Sequence, residues 1–101
     1  MFYAGTKRQL EGIVQWLDGK DQDEAQWNAQ TDLTHACLAE MADLSEAMRD
    51  AAKRSSGRYG HNPFADKLNR AMPHIRAMLT AMRIRDRATA LSHGETAMRR
   101  L

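Results

Sequence analysis

The 101-residue chain has one cysteine, two prolines, one valine and three isoleucines. Each scarcity excludes something. A lone Cys37 excludes an internal disulfide framework and fits a reducing, cytoplasmic setting. With so few β-branched residues and no period-two alternation, no segment reads as a strand. Prolines at 63 and 73 leave the stretches between and around them free for helix. No apolar run approaches the ~20 residues of a membrane helix. The opening stretch through Arg8 lacks the apolar core of a secretory signal, so no membrane contact is expected.

Chemistry-bearing motifs are equally scarce. There is no glycine-rich phosphate loop, and no nucleophile–histidine arrangement can be inferred. Glu46 and Asp50 lie four apart on one helix face, but a dimetal or acid–base site needs a second such pair with a histidine at fixed spacing. Asp50 is expected to pair with Arg54 instead. His35 and Cys37 are two apart and diverge on a helix, and no two histidines have the i, i+4 spacing of a chelating pair. The reading is a non-enzymatic protein with no cofactor and no metal.

What is present is helical patterning. Hydrophobic residues make up 43% and charged residues 28%, the balance of a globular domain. The expected fold is all-α: a single domain over 1–101, a small bundle of three to four helices in which a short N-terminal helix accompanies a long helical hairpin. Thr6 followed by Gln9 reads as a capping box opening a helix over 7–18, with Gly19 ending it. Asp21 and Asp23 are candidate N-caps for a long helix over 24–54, whose stripe runs Trp27, Thr31, Thr34, Leu38, Met41, Leu44, Met48 and Ala52. Thr31-Asp32 is a candidate break, and Gly57 a stop. A loop over 55–62 leads to Asn62 and Pro63, an N-cap and first-turn pair. The third helix, 63–92, carries Phe64, Leu68, Met72, Ile75, Leu79 and Met82 in one phase, with a kink or break expected at Pro73. Residues 93–101, where Gly94 weakens helix, read as a frayed last turn or a mobile tail.

Charge is divided along the chain. Residues 1–50 carry ten acids and four bases, a net −6; residues 51–101 carry eleven bases and three acids, a net +8. One consequence lies within the fold, where an acidic flank of helix two beside a basic flank of helix three steers the hairpin. The other lies outside it, in an acidic partner for the basic half. Arg76, Arg83 and Arg87 are spaced close to whole helical turns, so on one continuous helix they form a stripe, with Lys67 and the loop residues Arg58, Tyr59 and His61 extending it. Arginine suits bidentate carboxylate or phosphate contacts. These seven residues are the expected partner-binding set. The style of the chain, short, helical and charge-polarised, fits a small phage or mobile-element inhibitor or adaptor docking on an acidic protein surface. The alternative is a nucleic-acid-binding protein using the same arginines on phosphates, although no complete DNA-reading motif is present. Seven methionines suit a soft docking surface, including a homodimer through helices two and three.

Overall fold

The computed structural model describes residues 4–19, 21–56 and 63–101, except for the side chains at 52, 55 and 56. Four helices follow one another, α1 (Ala4–Asp18), α2 (Glu24–Ser56), α3 (Pro63–Arg83) and α4 (Arg87–Arg100), with no strand among the described residues. The all-α bundle is therefore what forms. No helix is long and apolar enough to cross a membrane among the described residues.

Side-chain contacts fix the topology. Thr6 of α1 meets Glu40 of α2, and Trp16 packs edge-on against Trp27, so α1 and α2 run antiparallel. Ser45 meets Asn69 and Thr34 meets Met82, which sets α2 against α3 in the same sense. His74 stacks on His93, reversing α4 against α3. Arg87 at the start of α4 reaches the end of α1 and closes the ring. The result is an up-down-up-down bundle. At about 1.5 Å per residue, the 33-residue α2 spans the whole 50 Å length of the molecule. Leu10, Ile13, Leu17, Cys37, Met41, Leu68, Ile75, Met78 and Met82 fill the interior.

Several boundaries differ from the sequence reading, each for a local reason. Thr6 does not cap α1. It lies inside the helix, buried, and its hydroxyl donates to Glu40 Oε1 at 2.8 Å. Of the two candidate caps for α2, Asp23 is the one used: Gln26 N–H donates to Asp23 Oδ1 (2.7 Å), and Asp23 N–H donates back to Gln26 Oε1 (3.2 Å), a reciprocal capping box. No break occurs at Thr31-Asp32. The Thr31 and Thr34 hydroxyls donate to the carbonyls of Trp27 and Gln30, four residues back, so both are satisfied without breaking the helix. The expected stop at Gly57 and cap at Asn62 lie outside the described residues.

The largest correction concerns the basic half. Pro73 sits exposed within α3 and does not end it; the chain breaks eleven residues later, at 84–86. There Asp86 N–H donates to Ala81 O (2.9 Å) and Arg85 N–H to Met82 O (3.1 Å), the paired bonds of a Schellman helix end. The residue in the left-handed position, usually glycine, is Arg85, at φ 59°. Asp86 then caps α4 by accepting from Thr89 N–H. The stretch read as a frayed tail is helical through Arg100. Gly94 is buried in its middle, where an added Cβ would lie 2.9 Å from both Met78 Sδ and Val14 Cγ2. Its missing side chain lets α4 approach α1 and α3 closely.

Candidate functional site

The break at 84–86 dismantles the single arginine stripe. Arg83 ends α3, whereas Arg87 begins α4 after the chain has reversed. Arg87 Nε donates to Gly19 O (3.1 Å) and Nη2 to Asp18 O (3.0 Å), capping the carbonyl end of α1 alongside Gln22, whose amide donates to Trp16 O and Gly19 O. Arg87 is thus engaged in holding α4 to α1. Arg58, Tyr59 and His61 lie outside the described residues.

The remaining members separate by helix geometry. Asn69, Arg76 and Arg83 are spaced by seven, two turns apart, and share a flank. Asn69 accepts from Ser45 of α2, so this flank borders α2. Lys67 is nine residues, two and a half turns, from Arg76 and lies on the opposite flank. Lys67 shares its flank with His74, which stacks on α4. Lys67 does not extend the Arg76–Arg83 surface.

Two cationic faces result, both exposed. One carries Arg76 and Arg83 beside α2. The other follows the α3–α4 seam, with Lys67 and Arg70 from α3 and Arg100 from α4, two turns after His93 and hence on the same side as it. Lys67 Nζ also lies 5.9 Å from the ring of Phe64, which is 42% exposed although its phase suggested a core position. Arg70 and Arg100 were absent from the sequence-based set. Their signal is helical spacing, Arg70 one turn from His74 and Arg100 two turns from His93, legible only once the break places α4 antiparallel to α3.

Arg85 behaves differently from all of these. Its guanidinium donates to Glu24 Oε1 at 2.5 Å, to Asn28 Oδ1 at 2.8 Å and to Met82 O at 2.9 Å, and it lies 5.7 Å from the Trp27 ring centre. The bond to Arg85 holds the Glu24 carboxyl below its ordinary value, and Glu24 in turn raises Arg85. Among the described residues this is the one ion pair joining the acidic and basic halves. The expected run of pairs along the α2–α3 hairpin does not form there, nor does Asp50–Arg54. Among the described residues, Arg70, Arg76, Arg83, Arg99 and Arg100 face solvent without a carboxylate partner, and the exposed Asp32, Asp43, Glu46 and Asp50 of α2 have no cationic one.

No three His, Cys, Asp or Glu side chains come together among the described residues. Cys37 is fully buried, and burial, with the nearby Glu40 charge, pushes its thiol up to about 11, far from a reactive thiolate. An open groove of about 410 Å³ between α2 and α3 is lined by Ser45, Glu46, Arg49, Asp50, Lys53 and Asn69. Its mixed charges favour neither an anion nor a cation. No known protein family, curated protein or solved structure matches the chain.

Proposed function

We propose that this protein is a non-enzymatic binding module that docks the cationic faces of α3 and α4 on an acidic protein surface. One observation carries the reading. Five exposed arginines, 70, 76, 83, 99 and 100, meet no carboxylate among the described residues, while the two arginines at the α3–α4 corner are bound into the fold. Arginine recognises carboxylates bidentately and is enriched at interface hot spots. The exposed Phe64 beside Lys67 adds an apolar anchor to the seam. The docking set becomes Lys67, Arg70, Arg76, Arg83, Arg99 and Arg100, with Arg87 removed; Arg58, Tyr59 and His61, outside the described residues, stay part of the proposal. A role as a small phage or mobile-element inhibitor acting in the cytoplasm belongs to the same proposal, as does self-association through α2 and α3.

The test is capture of partners from the source cell by the native chain and by Arg70→Glu/Arg76→Glu/Arg83→Glu. The proposal expects capture to be lost with the far-ultraviolet helical signal intact; equal capture would sink it. Labelled duplex and single-stranded DNA and RNA, titrated at two salt concentrations, separate the nucleic-acid alternative. Sequence-independent binding that weakens steeply with salt would replace the acidic-protein reading with a phosphate one.

A further inference from the structure

The sequence separates His74 and His93 by nineteen residues, and neither has a histidine at chelating spacing. The antiparallel seam of α3 and α4 brings them together. Their ring centres lie 6.1 Å apart with planes inclined by 30°, and both side chains are half-buried. Neither imidazole hydrogen-bonds or ion-pairs with another described residue, and no ring nitrogen is buried without a partner, so both rings present nitrogens to solvent. The geometry points to a two-histidine clip for a divalent transition-metal ion, closing α4 onto α3. This inference does not depend on the proposed docking function.

Imidazole nitrogens bind zinc at about 2.0–2.1 Å, which sets the ring centres of a chelating pair roughly 5–6 Å apart. The observed spacing lies just beyond that range, so binding requires side-chain rotation that turns one nitrogen of each ring onto the ion. Two ligands leave the remaining coordination positions to water, so the site is exchangeable rather than structural. Preference follows ligand type: neutral imidazoles favour Cu²⁺, Ni²⁺ and Zn²⁺ over Mg²⁺ and Ca²⁺. Arg70, one turn before His74, opposes a cation electrostatically, as do Lys67 and Arg100 two turns away on the same seam. Affinity should therefore rise, not fall, as salt screens those charges. Among the described residues, no other thiol or imidazole ligand competes from the same seam: Cys37 is buried and His35 is exposed on α2.

The experiment is calorimetric titration of the full chain with Cu²⁺, Ni²⁺, Zn²⁺ and Mg²⁺ at neutral pH, paired with thermal melts. Binding of one Cu²⁺, Ni²⁺ or Zn²⁺ per chain with a melting point raised by a few degrees is expected, with Cu²⁺ strongest and Mg²⁺ without effect. His74→Gln and His93→Gln should each weaken binding at least tenfold, His35→Gln should leave it unchanged, and Arg70→Gln should tighten it. Glutamine keeps the size and polarity of a half-buried site; each variant's metal-free melt verifies folding. Unchanged affinity in a folded His74→Gln or His93→Gln chain, or no binding by the native chain, overturns the clip.

Discussion

At the corner between α3 and α4, arginine side chains turn in upon helix ends; along the outer face of α3, beginning two residues away, they turn to solvent. Arg85 is held by Glu24, Asn28 and the Met82 carbonyl, and Arg87 by the carbonyls of Asp18 and Gly19. Arg76 and Arg83 have no carboxylate partner among the described residues. What decides the difference is backbone geometry. The left-handed Arg85 reverses the chain, aiming the next side chains across the end of the bundle where four helix termini meet. Free carbonyls gather there, and guanidinium groups satisfy them. The face of a continuous helix offers no such acceptors, so the same residue type remains available for a partner.

Corner substitutions should therefore damage folding and spare docking, and face substitutions should do the reverse. The strongest corner effect is expected at Met82, fully buried against the Thr34 hydroxyl, where Met82→Ala should cost ~2–5 kcal/mol in chemical denaturation. Away from the corner, in the middle of α4, Gly94→Ala comes next. Alanine favours helix by ~1 kcal/mol, but its Cβ collides with the stiff Val14 side chain, and overpacking of ~1–3 kcal/mol outweighs the gain. A more stable Gly94→Ala protein would contradict the close seating of α4. At position 85, both Ala and Gly lose the guanidinium bonds, but only Gly relieves the positive φ. Arg85→Gly should melt above Arg85→Ala; the reverse order would show that the left-handed corner is not held in solution.

The smallest corner effect concerns acid. Glu24 has a folded-state pKa below its ordinary 4.5, so its contribution is complete above that pH and is lost as pH falls through the folded value. Melting of the native chain should thus decline slightly more between neutral pH and pH 3 than that of Glu24→Gln. The effect is small because Glu24 is 72% exposed.

Much of the fold was legible because helix periodicity is a local signal. The stripe through Trp27, Thr34, Met41 and Met48 is buried, and so is that through Leu68, Met72, Ile75, Leu79 and Met82. The α3–α4 break was missed because its left-handed residue is an arginine, with no glycine or proline to announce it. Its readable trace was Asp86 followed three residues later by Thr89, the start of a capped helix. Pro73 carried the stronger breaking signal but leaves α3 unbroken; the buried side chains on both sides of it pack in one phase. Missing the break joined Arg87, which holds α4 to α1, to the exposed pair Arg76 and Arg83. It also hid the seam of Lys67, Arg70, His74, His93 and Arg100, which exists only because α4 folds back.

The division between corner and face is tested most directly by measuring thermal melting and partner capture together for two proteins, Arg76→Glu/Arg83→Glu and Arg85→Ala/Arg87→Ala. The first should melt like the native chain and capture nothing, while the second should melt lower and still capture below its melting point. A face variant that retains full capture, or a corner variant that loses capture while melting unchanged, would contradict it.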